Sequence, residues 1–289
     1  MNRQELEFAN RMFQDEAFCR EFLINSSIFS NPSTCIDCFG PVSQKSSVHF
    51  KCTTKNCRKL NSIYWGTPFA SLKLKVNQIM ELFFLFNNDA STNFLMNTKG
   101  YSSATISKWF KVYMDILVND FSFSQVKIGG ENVIVECDES KFGKRKYHRG
   151  HRVEGVWVFG LVERTPERRL VVRIVEKRDA ATLLPIIRSS VLEGSIVLTD
   201  CWRAYNGIQS ELGLAHETVN HSENFVEPIT LNHTNTIEGT WNGIKMKVPA
   251  RKRTKKLISN ELVRFSWNRQ NKDRKWEAFL NALARFNIE

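Results

Sequence analysis

The sequence predicts an α/β protein: a mixed sheet with helices on both faces, preceded by a small cysteine-held module and a helical segment. Three observations predict it. Apolar, β-branched runs at 133–140, 156–164 and 169–177 follow one another with only turns between, the pattern of consecutive hairpins. From 179 onward, strand and helix patterns alternate, as βα units do. Cys35, Cys38, Cys52 and Cys57 lie in a short, polar, turn-rich stretch with no apolar core of its own.

Composition bounds the function classes. A chain of 289 residues suits one large domain with small appended modules, and a 42% hydrophobic content can fill a core. A formal net charge of +11 favours a polyanionic partner, either nucleic acid or an anionic membrane surface. No run of about 18 apolar residues occurs and the first residues are highly charged, so a soluble intracellular protein without a membrane span is expected. Seven cysteines, four of them in close pairs, favour metal binding over a disulfide framework.

Taken in order, residues 1–30 read as one amphipathic helix with Phe8, Met12 and Phe13 on its apolar face. The segment 31–70 carries C-x2-C, thirteen residues, then C-x4-C, a spacing that sets four thiolates at tetrahedral corners for one structural Zn2+; His49 does not fit the paired pattern. Residues 71–120 read as a helical DNA-binding segment. Gly100 sits in its turn, Ser102 and Ser103 are candidate caps, and the second helix presents Lys108. Residues 121–132 read as a linker and turn around Gly129 and Gly130. The final region, 130–289, supplies three strands, helix, strand, helix, strand, helix, the element order of the ribonuclease H-like fold.

Three acids hold informative places in that order. Asp138 ends the first strand, Asp200 ends the fourth, and Glu238 opens the helix after the fifth. In a ribonuclease H-like sheet the first and fourth strands are parallel neighbours, which brings the two aspartates together. Two unit charges about 4 Å apart at an effective dielectric near 20 repel by roughly 4 kcal/mol, a cost that a divalent cation removes. Hard oxygen ligands suit Mg2+ or Mn2+, and two such ions would serve phosphoryl transfer. Strand alternation puts Glu136 on the Asp138 face and leaves Glu139 as an outer residue. Cys137 and Cys201 read as small buried hydrophobes. On the helix, Asn235, Glu238, Trp241 or Asn242, and Lys245 share a face, so Lys245 could hold a phosphate beside the metal site.

The strand endings VECDES and LTDCWRAY, the stretch VNHSENFV and the segment HTNTIEGTWNGIK together resemble the ISXO2-like transposase domain of the IS1595 group and the related Merlin elements, over roughly 130–270. The CIDC and C-x4-C pairs with YWGTPFASLKL resemble the zinc ribbon that often precedes it. The resemblance implies a DDE transposase with Asp138, Asp200 and Glu238 as catalytic metal ligands and Lys245 beyond them. Because some members carry asparagine near the third position, Asn235 is a rival or accessory ligand. It also implies binding of double-stranded terminal inverted repeats and target DNA by more than one protomer. Lys247, Arg251, Lys252, Arg253, Lys255 and Lys256 add a basic surface for phosphates. In a eukaryotic cell the run 251–256 would also serve as a nuclear localisation signal; otherwise cytoplasm or nucleoid is expected. The competing readings are a domesticated DNA-binding protein without catalysis and a ribonuclease H-like nuclease or resolvase. The last helix, with Trp276, Phe279, Leu280 and Leu283 at helical spacing, reads as core.

Overall fold

A computed structural model of the chain describes residues 3–29, 33–121, 127–143, 155–219 and 234–286. They fall into two compact units, one of Met1–Asp120 with Asn271–Glu289 and one of Phe121–Gln270. Among the described residues, no helix is long and apolar enough to cross a membrane.

In the first unit, the single helix expected over 1–30 is two helices, α1 (Arg3–Gln14) and α2 (Glu16–Asn25). Asp15 causes the break: its backbone is extended, and its carboxylate accepts from the Phe18 amide at 3.0 Å, capping α2. A three-stranded antiparallel sheet follows, β1 (Val42–Gln44), β2 (His49–Cys52) and β3 (Leu60–Ser62). Then come α3 (Val76–Asn87), α4 (Thr92–Lys99) and α5 (Ser103–Asp120). The stretch before Gly100, expected to be a short connection, is α4, started by Ser91 accepting from the Phe94 amide and stopped by Gly100 at φ 70°. Ser102 caps α5 by accepting from the Thr105 amide at 3.1 Å, as its position suggested.

The core of this unit is aromatic. Phe83 of α3 lies 5.0 Å from the Trp109 ring and 4.4 Å from that of Phe279, which belongs to the last helix, α10 (Lys275–Arg285). Trp276 meets Phe13 and Phe84 edge-on. Trp276, Phe279 and Leu283 are buried while Leu280 is half-buried. These ring contacts are why α10 groups with the N-terminal helices, whereas the sequence pattern ran the last domain on to residue 289.

The second unit is built on a five-stranded sheet. In chain order its strands are β5 (Ile134–Phe142), β6 (Val156–Glu163), β7 (Leu170–Val175), β9 (Ile196–Asp200) and β10 (Ala215–Val219), arranged β10-β9-β5-β6-β7. β5, β6 and β7 form an antiparallel meander; β9 runs parallel to both β5 and β10. The expected strand over 216–221 is β10 as far as Val219, and the rest of it and most of VNHSENFV lie outside the described residues. The Gly129–Gly130 region, expected to be a turn, contains a short strand, β4 (Ile128–Gly129), paired with β8 (Val191–Leu192). Gly129 holds φ +88°, and a Cβ there would meet the Ser195 hydroxyl at 2.2 Å, so only glycine fits.

Strand alternation divides the core into two layers. On one face Val135, Cys137, Phe159 and Leu161 pack against α6 (Ala180–Ser190) and α7 (Gly207–Leu212) through Leu183, Ile187 and Ile208. On the other, Phe142, Val158, Val162 and Val172 pack against α8 (Asn235–Lys247) and α9 (Ile258–Gln270) through Ile237, Trp241, Ile244 and Leu262. Each such fully buried aliphatic side chain contributes roughly 1.5–3 kcal/mol. Helices thus cover both faces of a mixed sheet.

Candidate active site

β5 and β9 run side by side, with Ile134 opposite Ile196 and Glu136 opposite Leu198. Extending that register by two residues places Asp138 level with Asp200, both half-buried. Asp200 ends β9, but Asp138, expected at a strand end, lies within β5, which continues to Phe142 through its pairing with β6. Asp138 lies opposite Gly160 of β6. A Cβ at Gly160 would meet the Trp241 ring at 2.5 Å, so the glycine is the seat of that indole. The indole N–H in turn donates to Asp138 Oδ2 at 2.8 Å. Glu238 precedes Trp241 by one helical turn and is exposed, with Thr234 Oγ1 donating to its Oε1 at 3.3 Å.

Glu136, on the same face of β5, is fully buried. Its Oε2 accepts from the backbone N–H of Ile237 in the first turn of α8 at 2.8 Å, and its Oε1 pairs with Arg164 Nε at 2.5 Å. A carboxylate at a helix N-terminus is favoured by the unsatisfied amides and by the dipole. This bond anchors the end of the helix that carries Glu238.

The electrostatics follow from that arrangement. Burial pushes the Asp138 carboxyl up to about 6; hydrogen bonds from Trp241 and the Glu139 backbone oppose the rise, and the nearby charges of Asp200 and Glu238 add to it. Glu139, on the opposite strand face, is pushed up to about 7, again chiefly by burial, while its Oε1 accepts the Tyr205 hydroxyl at 2.9 Å. Carboxyls this reluctant to ionise gain from a neighbouring cation.

Lys245 is half-buried two turns past Glu238, its ammonium 5.6 Å from the Phe142 ring centroid. Asn235 opens α8 and is exposed. Cys137 is buried as expected, but Cys201 is exposed because β9 ends at Asp200 and the chain turns there.

The basic residues divide by role. Arg253 donates to the carbonyls of Val248 and Lys245, closing the C-terminal end of α8, and Lys252 pairs with the buried Glu261 at 2.5 Å. Lys255 forms an exposed pair with Glu176 at 2.9 Å, while Lys247, Arg251 and Lys256 are exposed. In the other unit, Lys108 is exposed on α5 with Trp109 buried behind it.

That unit also holds the cysteine group. The sulfurs of Cys35, Cys38, Cys52 and Cys57 all lie within 4.8 Å of one another, and among the described residues this is the group drawn so closely together. Cys35 and Cys57 are 3.6 Å apart and Cys38 and Cys52 3.5 Å. Asn61 Nδ2 points at Cys35 Sγ from 3.7 Å, and Asn61 Oδ1 accepts from the Ile36 amide, fixing the first pair. The group could hold one structural metal ion such as zinc.

Two comparisons bear on this geometry. Residues 127–250 match the family model described as the ISXO2-like transposase domain, so the resemblance carried by VECDES, LTDCWRAY and HTNTIEGTWNGIK holds. A Haemophilus influenzae protein described as an uncharacterized transposase-like protein is 42% identical over 73 residues, 25% of this chain and 56% of that relative. The match spans little more than half of the relative's length. It supports a transposase role for the segment.

Glu136, Gly160 and Tyr205 were not assigned to this site from the sequence. Their signals were present but weak: a glutamate two residues before the aspartate, a glycine inside an apolar strand, and a tyrosine five residues after Asp200.

Proposed function

We propose that this chain is a DDE transposase whose second unit is a ribonuclease H-like catalytic domain. The sheet order, an antiparallel meander followed by two parallel strands on the side of the first, supports that fold. The observation that carries the functional reading is the register of β5 and β9, which brings Asp138 and Asp200 level, with α8 docked onto Asp138 through Trp241.

Asp138, Asp200 and Glu238 are the residues that would hold Mg2+ or Mn2+, and the raised proton affinity of Asp138 fits a site built for cations. Such ions would activate the attacking oxygen and stabilise the leaving one. Trp241 orients Asp138, Glu136 fixes the start of α8, and Lys245 holds a DNA phosphate alongside. Asn235 is an accessory ligand to the third position. The exposed Lys247, Arg251, Lys255 and Lys256 bind backbone phosphates, and the cysteine unit holds Zn2+ and presents Lys108 to DNA. Double-stranded terminal inverted repeats and target DNA are the proposed substrates, with more than one protomer needed to hold two ends.

The test is joining of pre-cut element ends to a target duplex with Mg2+ or Mn2+. Joined product from the wild type and none from Asp138→Asn supports the reading. Equal activity in both would remove the catalytic assignment, and cleavage without joining would make the protein a nuclease.

A further inference from the structure

Beside the carboxylates, the turn after β9 and the start of α6 enclose an open cleft of about 690 Å³ lined by Lys177, Arg178, Asp179, Trp202, Arg203 and Asn206. That volume is ample for a small ligand. Its composition is unusual for a surface turn. Trp202 is 41% exposed, a large apolar surface left to solvent. The Arg178 guanidinium lies 3.8 Å from the Trp157 ring centroid and 5.7 Å from that of Trp202, which ties the two indoles to one cation. The Trp202 indole N–H donates to the Arg178 carbonyl at 3.4 Å, fixing the ring's orientation. The carboxylate of Asp179 is engaged elsewhere, accepting from the amide and hydroxyl of Thr182 at the cap of α6. Three cationic side chains therefore face the cleft against one acid already committed to a helix end.

One residue of the cleft is bonded to a proposed metal ligand. Asp200 Oδ1 accepts the backbone N–H of Trp202 at 2.9 Å, so carboxylate and indole belong to one turn. A strand with a phosphate at Asp200 would carry its neighbouring base past Trp202. A fixed aromatic face among cations is the chemistry that takes a nucleobase by stacking and its phosphate by charge. Bases inside a duplex have both faces covered by their neighbours, so the ring suits a base that is unpaired or taken out of the stack.

We propose that this cleft binds an unpaired nucleotide of the DNA strand whose scissile phosphate lies at the carboxylates, its base stacked on Trp202 and its phosphate held by Arg203 and Lys177. The assignment rests on the transposase reading above and adds a subsite to it.

The experiment uses the full chain without added Mg2+ or Mn2+, so that no turnover is required. Two probes are compared: a fully paired duplex, and the same duplex with a three-nucleotide single-stranded flank carrying 2-aminopurine at successive positions. In the wild type, 2-aminopurine fluorescence is quenched at one flank position, and the flanked duplex binds more tightly than the paired one. Trp202→Ala abolishes that quench and weakens flanked-duplex binding about tenfold, the loss expected for one base–aromatic stack, with paired-duplex binding within about twofold. Trp202→Phe retains most of the quench, which separates a lost ring from a misfolded turn. Unchanged quench in Trp202→Ala, or equal loss of affinity for both probes, overturns the subsite while leaving the transposase reading standing. Failure of the wild type to bind either probe removes both.

Discussion

The indole of Trp241 and the carboxylate of Asp138 meet at 2.8 Å, and this bond ties α8 to β5 one helical turn past Glu238. Asp138 therefore does not depend on its strand alone for orientation. The helix that carries Glu238 also orients Asp138.

Trp241→Phe keeps a ring over Gly160 and removes the donor. Hydrogen bonds to charged groups are worth about 1.5–3 kcal/mol, so end joining is expected to slow at least tenfold while the melting temperature moves by only a few degrees. Strand-transfer rates and thermal denaturation, measured on the same preparation, check this. Unchanged rates would show that the bond has no part in catalysis.

Gly160→Ala tests the packing beneath that bond. The added methyl would stand 2.5 Å from the Trp241 ring, too close for the indole to stay in place. Overpacking of this kind costs about 1–3 kcal/mol, readable in urea denaturation, and intrinsic tryptophan fluorescence should shift as the ring moves.

Glu136→Gln leaves Arg164 facing a neutral partner and weakens the anchor of α8. Breaking a buried ion pair costs about 3 kcal/mol, so a lower urea midpoint is expected with little change in its denaturant slope. A midpoint equal to the wild type would mean that Glu136 contributes no anchoring.

Glu163 sets an acid limit on the second unit. Burial alone would raise its carboxyl, but hydrogen bonds from Arg169 at 2.8 Å, the Gly129 amide at 2.9 Å and Thr165 at 2.7 Å outweigh burial and hold it below the usual range. A depressed folded-state value contributes stability that is present above the unfolded value, near 4.5, and lost as pH falls through the folded one. Glu163→Gln should therefore flatten the decline of stability below pH about 4.5.

Loss of zinc should loosen the first unit only. Stripping zinc, or Cys52→Ser, is expected to speed amide hydrogen exchange across 33–62 and to leave β5, β6 and β9 protected. Uniform protection before and after chelation would show that the cysteines hold no structural ion.

Much of this architecture was legible in the sequence because its signals are local. Apolar, β-branched runs separated by turns marked β5, β6 and β7, and the cysteine spacing marked the quartet. Alternation along β5 sent Glu136 and Asp138 to one face and Cys137 to the other. What escaped depends on partners distant in sequence or on a single competing side chain. Asp15 broke an apolar pattern that reads as continuous. Gly129 looks like a turn until Ser195, far along the chain, is seen to occupy its Cβ position. Trp276 and Phe279 were legible as core, but not as core of the N-terminal helices. Likewise Arg253 and Lys252 read as DNA-binding charge, yet their immediate partners are helix carbonyls and a buried glutamate.

Calorimetric titration of the full chain with Mn2+ tests, without any assay of DNA, whether Asp138, Asp200 and Glu238 together hold divalent cations. Binding is expected in the wild type, lost in Asp138→Ala and in Asp200→Ala and weakened in Glu238→Ala. Mn2+ binding left intact by both aspartate substitutions would show that these carboxylates hold no cation.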